Sequence, residues 1–545
     1  MPRQVTESVR KDPPLEAWFA HADFAAAFVV LAGLLARLRN AYGTFLNPDE
    51  ALHFRLANQT SLLLAYKQSL TAAHPPLLVV LLYFWRDLGT SELWLRLPSV
   101  IAGTIFCWAL YKWLAQADGR LTGFIAVVLV SLLPPIVGLT AEIRQYALLL
   151  AFLAYTVYFL DRAFAEKSTR LMVLSSFFLY LSMSVHYSAF LFAIALGIYG
   201  LWRIFAERPP SNLISAWGFG QALGVGLAAL LYKVQLSHLG IGDSRTVARG
   251  FISDFFLRRS YYDPAHDNPL WFVGHSFGVF QYFFGQLAVG DVCGALFLVG
   301  VGSLLRHRGM TKKGALWVAL QLALPFVVAC IASFFHVYPY GGTRELAFLV
   351  MPAVGGVSVA LAQMAGGNWV RGVALCLLLL VLCLIFGKPR QPRMDRADQS
   401  RGQMAAAMEY LRRNVPPASL IFVDYQTDLI LGHYLCRQLP IVGDDSLPGF
   451  ESFSCGGYRV VSANYKTWMY SDSNFVTEWN WMVRTYRPPP GEKVWNFQCG
   501  WGIKLADELR SEFPEFRDLQ VASFGSNIQI FPLTVGQPMP HESRP

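Results

Sequence analysis

Charge is scarce in this chain: only 15% of its 545 residues are Asp, Glu, Lys or Arg, against about 25% in soluble domains. With 54% hydrophobic residues, that deficit excludes disorder and a charged coiled coil, and it leaves too little polar surface for an ordinary soluble protein. Cysteine is sparse as well. The eight cysteines show no CxxC or CxxH spacing, so neither a disulfide scaffold nor a zinc site is indicated. Cys107, Cys293, Cys330, Cys376 and Cys383 fall in apolar runs, where a thiol acts as a small hydrophobe. Cys436, Cys455 and Cys499 lie in a polar C-terminal part; two of them can pair in an oxidising compartment, and which two stays open. The net charge of +9 has no clustered basic stripe behind it. That argues against a nucleic-acid partner and for topology signals and contacts to membrane lipids.

What the chain has in quantity is long apolar runs and aromatics, the latter 14% of residues. Runs long enough to cross the hydrocarbon begin at Asp23–Leu38 and continue at 93–114, 121–139, 145–161, 171–185, 188–205, 213–232, 285–305, 314–335, 345–363 and 371–387. They predict about eleven transmembrane helices. Arg37 and Arg39 follow the first run without a small-residue cleavage pattern, so it is expected to be an uncleaved anchor. The stretch Pro75–Trp85 is too short to span and is expected as a juxtamembrane or re-entrant helix. With the N-terminus inside, the inner turns hold Arg120; Arg162, Lys167 and Arg170; Arg203 and Arg208; Arg306, Arg308, Lys312 and Lys313; and Arg371. That is the positive-inside pattern, and counting Pro75–Trp85 as a span would invert it.

The fold expected is therefore a polytopic α-helical membrane protein with a small extracytoplasmic C-terminal α/β domain. The membrane part covers 1–390, with its first outer loop at about 40–92, and the second domain covers 391–545. A polar linker (Lys388–Arg401) precedes a helical run at Gln403–Asn414. Strands are expected at Ser419–Asp424, Tyr458–Ser462, Lys493–Phe497 and Asn527–Phe531, a helix at Ile503–Phe513, and a loose tail beyond Pro532.

Ionisable residues at the outer rim are the leads to function, because charge near hydrocarbon is costly. The first loop carries NPDEALHFR, where Pro48 opens a helix and puts Asp49 and Glu50 in its first turn. Acids there are commonly only helix caps. AHPPLL follows, holding His74 at the interface. The next outer turn, TAEIRQYALLL, places Glu142, Arg144 and Tyr146 just before a span; Arg144 is either snorkelling or gripping a phosphate. His186 and Tyr187 occupy the third turn. HVYPYGGTRELAFLVMP, with Tyr340, Gly341, Gly342 and Arg344, occupies the last, where the glycines allow close backbone approach to a ligand. The charge-derived topology puts all of these on one face of the membrane.

NPDE, AHPPLL, LRLPSVIAG (Leu95–Gly103), the ExRxYALLL turn and YGGTRELAFLVMP, in that order over residues 20–390, resemble the GT-C membrane glycosyltransferases. The nearest branch holds protein O-mannosyltransferases and the bacterial aminoarabinose transferases acting on lipid A. The resemblance implies transfer of a sugar from a polyprenyl-phosphate carrier to an extracytoplasmic acceptor, in an inner or plasma membrane of bacterial type. It also implies Asp49 as the acidic residue that the reaction uses, with Glu50 beside it. Many relatives place an aspartate a few residues into the second outer turn, where this chain has Glu142 and Arg144. The chemistry agrees: a phosphate leaves without a proton donor, so one base (Asp49) suffices, and fixed cations stabilise the leaving group. Arg144 and Arg344 are the candidates, with Lys67 a weaker third; His74, Glu142, Tyr146, His186, Tyr187 and Tyr340 are the candidate substrate contacts. No cofactor is required. A divalent metal at Asp49 and Glu50 is compatible with the sequence, which does not call for one. The competing class, a transporter or lipid flippase, is disfavoured because ionisable residues are scarce at mid-span and no repeated halves are visible.

Overall fold

The structure is a computed structural model that describes residues 22–238, 257–285, 287–306, 312–386, 399–436, 450–463, 467–502 and 505–536. Most of the expected linker Lys388–Arg401, the boundary at 390, part of the loop Lys233–Gln281, Arg308, the start of the helix expected at Ile503 and the end of the tail lie outside the described residues.

The apolar runs fold as a helical bundle: α1 (Ala22–Gly43), α5 (Glu92–Ala117), α6 (Arg120–Leu132), α7 (Pro134–Leu139), α8 (Tyr146–Ala165), α9 (Thr169–Met183), α10 (Ser188–Glu207), α11 (Ser211–Leu231), α13 (Leu287–Arg306), α14 (Lys312–Phe334), α15 (Val350–Met364) and α16 (Trp369–Phe386). Between α1 and α5 lie three short helices, α2 (Pro48–Ala57), α3 (Leu62–Ser69) and α4 (Leu77–Trp85). Among the described residues, 8 helices are long and apolar enough to cross a membrane, and the chain is an integral membrane protein. Three further expected spans are helical but differ in kind. The first is α1, of 22 residues; α9 has 15; and α6 stops after 13 because Pro134 and Pro135 remove N–H donors and force Leu133 into an extended conformation. At 9 residues α4 is about 14 Å long, far short of the hydrocarbon thickness. The loop expected at Lys233–Gln281 contains a helix that the apolar-run criterion passed over, α12 (Leu270–Phe284), packed against α13.

Two charges inside the bundle tie helices together. Buried Arg37 donates from α1 to Thr140 Oγ1 (2.9 Å) and to the carbonyl of Val130 (2.9 Å), so it is a helix tie. Asp161 on α8 accepts from Tyr199 (2.6 Å), Gln321 (2.8 Å), Trp113 (2.9 Å) and Arg203 (3.2 Å), joining α5, α8, α10 and α14.

The C-terminal part is a small sheet domain: α17 (Arg401–Asn414), β1 (Leu420–Val423), α18 (Tyr425–Leu435), β2 (Phe450–Cys455), β3 (Tyr458–Ala463), α19 (Asp472–Tyr486), β4 (Lys493–Cys499), α20 (Leu505–Glu512), β5 (Ala522–Ser523) and β6 (Ile528–Thr534). The strand order is β2-β3-β1-β4-β6-β5, with β1 parallel to both β3 and β4. Strand β6 runs through Pro532, so the chain there is a paired strand rather than the start of a loose tail. Cys436 pairs with Cys455, while Cys499 is buried and free. The domain is not tethered by a linker alone. Phe45 N–H donates to the carbonyl of Gln399 (3.0 Å), and Phe45 and Ala51 belong to the same apolar cluster as Met404, Ile421 and Leu429. The segment that carries Asp49 is thereby part of the core of the sheet domain.

Candidate active site

The helix that bears the two acids begins with a capping box. Asn47 Oδ1 accepts the N–H of Glu50 (3.0 Å), and Glu50 Oε2 accepts the N–H of Asn47 (3.1 Å). Successive residues on a helix point about 100° apart, and here that separates the two carboxylates completely. Glu50 turns into protein: Arg96 on α5 donates from Nε (2.7 Å) and Nη2 (2.5 Å), and Ile143 N–H donates to Oε1 (2.9 Å). Arg96 also donates to the carbonyls of Ala41, Thr44 and Phe45. One fully satisfied buried pair thus fastens the start of α2 to α5 and to the Glu142–Arg144 turn. Sequence reasoning quoted Arg96 only inside LRLPSVIAG; an arginine within an apolar run was the signal to follow.

Asp49 faces the other way and meets two arginines brought from opposite ends of the membrane part. Arg144 Nη1 lies 2.8 Å and Arg344 Nη1 2.6 Å from Asp49 Oδ2. Burial alone would raise the Asp49 pKa, but the two guanidiniums outweigh it and hold the carboxyl far below the usual range. The Nε of Arg144 is buried with no hydrogen-bond acceptor among the described residues, and that of Arg344 has Glu345 Oε1 at 3.5 Å. Arg144 also donates to Tyr146 Oη (3.2 Å), and its guanidinium stands 5.4 Å from the centre of that ring. Glu142 is half-buried and forms no ion pair or side-chain hydrogen bond with a described residue; burial, and then the Glu50 charge, raise its pKa. Because Asp49 and Glu50 point to different partners, they do not converge as the pair of metal ligands considered from sequence. Among the described residues no three His, Cys, Asp or Glu side chains gather at one point.

Beside Arg144 runs a row of rings. His53 and His74 are 6.0 Å apart, His74 and His186 stack at 5.0 Å, and Tyr146 lies 5.4 Å from His186. His53 donates from Nδ1 to the Asp49 carbonyl (2.7 Å) and accepts at Nε2 from Gln145, which defines a neutral tautomer. His186 Nδ1 accepts from Ser188 N–H (3.2 Å), so its proton sits on Nε2, which is buried without a partner among the described residues. Burial and then the Arg144 charge push His53 to about 4 and His186 to about 3; burial and then His186 lower His74.

These shifts carry a prediction. An unfolded histidine titrates near pH 6.5, so below that pH the unfolded chain binds protons that the folded site refuses. His53 and His186 contribute full stability above pH 6.5 and lose it progressively toward pH 4, each by up to about 1.4 kcal/mol per pH unit. The thermal midpoint of the purified protein should therefore fall steeply between pH 6.5 and 4.5, and less steeply in His53→Gln or His186→Gln. An unchanged slope in both variants would mean that these rings are not held neutral.

The remaining sequence candidates fall in three places. Tyr187 donates to Gln235 Oε1 (2.6 Å), and Gln235 in turn donates to the carbonyls of Ser69 (3.1 Å), Ala72 (2.8 Å) and His74 (2.8 Å), so Tyr187 helps to hold the loop that presents His74. Tyr340 is fully buried; its hydroxyl bonds Ser276 (2.7 Å) and its N–H the Ser260 carbonyl (2.7 Å). The close approach expected at Gly341–Gly342 is made to protein: a Cβ on Gly342 would lie 2.5 Å from the carbonyl oxygen of Gly278 on α12. Lys67 is exposed on α3 and forms no ion pair with a described residue. The sheet domain adds a residue that no motif flagged. The Arg344 guanidinium lies 5.9 Å from the centre of the Trp501 ring.

Comparison with known proteins gives a family match over part of the chain. Residues 73–231 match the family model of the dolichyl-phosphate-mannose-protein mannosyltransferases. That stretch holds His74, Arg96, Arg144 and His186, and the match agrees with the GT-C resemblance carried by the motifs. Among solved structures, the chain is similar to ArnT from Cupriavidus metallidurans bound to undecaprenyl phosphate, at 12% identity and TM-score 0.49, covering 96% of this chain and 99% of that one. It is also similar to the Archaeoglobus fulgidus oligosaccharyltransferase tethered to an acceptor peptide, at 13% identity and TM-score 0.41, covering 76% of this chain and 63% of that one. The chain thus spans less than two thirds of the archaeal enzyme. No curated protein sequence matches it.

Proposed function

We propose that this protein transfers a sugar from a polyprenyl-phosphate-linked donor to a hydroxyl on an extracytoplasmic acceptor, with inversion at the anomeric carbon. The observation that carries the reading is the convergence of Arg144 and Arg344 on Asp49, with the Nε of Arg144 lacking an acceptor among the described residues. In this state Asp49 occupies the place of an anion. A donor phosphate competes for both arginines through charge-assisted hydrogen bonds. As the arginines turn to the phosphate, Asp49 loses the charges that suppress its basicity, and its pKa rises toward the usual range. The acceptor oxygen then attacks the anomeric carbon, the bond from that carbon to the phosphate oxygen breaks with its electron pair, and Asp49 takes the hydroxyl proton. The freed phosphate carries the growing charge, which the arginines stabilise. Binding of substrate therefore switches on the base. Glu50 positions α2 in this scheme, and Lys67 has no part in it.

A second reading for the base rests on Glu142, whose raised pKa and unengaged carboxylate suit proton abstraction. Glu142→Gln decides between them: it should lose as much transfer as Asp49→Asn if Glu142 takes the proton, and much less if it does not.

The test is release of free polyprenyl phosphate by the chain reconstituted in liposomes with polyprenyl-phosphate sugars extracted from membranes. Arg144→Lys and Arg344→Lys should each weaken use of limiting donor by about 1–3 kcal/mol, because a point charge lacks the planar fork. Unaltered donor dependence in both variants would remove the arginines from phosphate binding.

A further inference from the structure

The sheet domain has a feature that the reaction as proposed does not use. Helix α18, which follows β1, packs on one face of the sheet against Ile421 and Val423, whereas α19, which follows β3, packs on the other face against Leu420 and Phe422. The chain leaves β1 toward β3 and later returns to β4 on the opposite side of β1. The carboxyl ends of β1 and β4 therefore flank a topological switch point, the place where open α/β sheets bind ligands.

The residues found there are arranged for display. Gln426, just after β1, accepts the N–H of Trp501 (3.0 Å) and donates to its carbonyl (3.2 Å), and Thr427 donates to the carbonyl of Cys499 (3.0 Å). Gly500 has φ +131°, and a Cβ there would lie 2.6 Å from Gln426 Oε1, so only glycine lets the turn sit this close. The turn is thus clamped by its backbone, and the half-buried indole of Trp501 projects from it, stacked at 6.3 Å on half-buried Trp468 from the segment after β3. Asp424 beneath them accepts from the N–H groups of Thr427 (3.0 Å) and Tyr470 (3.2 Å), which fixes both flanking segments. Trp501 meets the membrane part, since the guanidinium 5.9 Å from its ring centre belongs to the same Arg344 whose Nη1 is 2.6 Å from Asp49.

We propose that the surface at this turn is the acceptor site and that the acceptor is a saccharide, its ring packed on Trp501, which Trp468 supports, and its hydroxyl directed past Arg344 to Asp49. This rests on the transferase reading above and deepens it. The apolar C–H face of a pyranose is a flat plate that matches an indole face, and the indole of Trp501 on its clamped turn offers such a face at little ordering cost. A single guanidinium separates the Trp501 ring from Asp49, so a ring seated there needs no movement of the sheet domain to bring a hydroxyl to the base.

The experiment uses the full chain in lipid nanodiscs, with the saccharide fraction released from cell envelopes as probe and a Ser/Thr-rich peptide as control. Binding is followed by saturation-transfer NMR, and transfer in parallel by release of polyprenyl phosphate. Trp501→Ala and Trp468→Ala should weaken saccharide binding and raise its half-saturating concentration by about tenfold, the size of one aromatic stacking contact. Half-saturation by donor should stay the same in Trp468→Ala, and Trp501→Phe should recover most of the loss. No saccharide binding by the wild type, binding unaffected by Trp501→Ala, equal shifts for donor and acceptor in Trp468→Ala, or preference for the peptide would each overturn the proposal. Trp501-dependent saccharide binding without any transfer would support this surface as a saccharide site and overturn the transferase reading instead.

Discussion

Asp49→Asn is expected to cut sugar transfer by about 10²–10⁴-fold, the usual contribution of a general base, while leaving donor binding intact or tighter. The two halves of that expectation come from different parts of the geometry. Removing the carboxylate removes the proton acceptor. It also removes the counter-charge of Arg144 and Arg344, which are then free to grip the donor phosphate. A helix-capping residue would behave otherwise: asparagine caps about as well as aspartate, and in any case the cap here is Asn47, with Glu50 as its reciprocal partner. Near-normal transfer by Asp49→Asn would therefore end the claim that Asp49 is the base. Loss of transfer together with loss of donor binding would assign it to phosphate-site architecture. Membrane abundance has to be measured in parallel, because buried Arg144 without its counter-ion also costs stability.

Arg96→Met is expected to be the most destabilising single change near the site. It leaves the fully buried Glu50 carboxyl stripped of its guanidinium, and breaking such a pair typically costs about 3–5 kcal/mol. The same change releases the carbonyls of Ala41, Thr44 and Phe45 and frees the N-terminus of α2, so Asp49 should drift from its arginines. A lowered thermal midpoint in detergent is the direct readout. The double change Glu50→Gln with Arg96→Met should be less harmful than the sum of the single ones, because it leaves no unpaired buried charge. If Arg96→Met unfolds at the wild-type temperature, the clamp has been overrated and another contact holds α2.

The features that sequence by itself determined are those written in short-range pattern. Apolar runs longer than a bilayer is thick, set between Lys/Arg turns, announce a helical membrane protein whatever its tertiary arrangement. Alternation and β-branched clusters marked β1, β3, β4 and β6 to within a few residues, and the motif order NPDE, AHPPLL, ExRxYALLL and YGGTRE pointed to the glycosyltransferase class that the family model over residues 73–231 also reports. Helix α12 escaped because His275, Ser276 and Gln281 break up its apolar run, and α18 and α19 because the membrane hydropathy pattern is weak in a water-facing domain. Only tertiary structure decided which of two adjacent acids meets the arginines, since that depends on the 100° step of a helix whose rotation is set by the distant Arg96. Likewise, it alone paired Cys436 with Cys455, turned Tyr340 and Gly342 into packing residues, and brought Trp501 to Arg344 across 157 positions of chain (501 − 344). These are contacts between segments with no local signature, created when the first loop and the sheet domain bury a common apolar core.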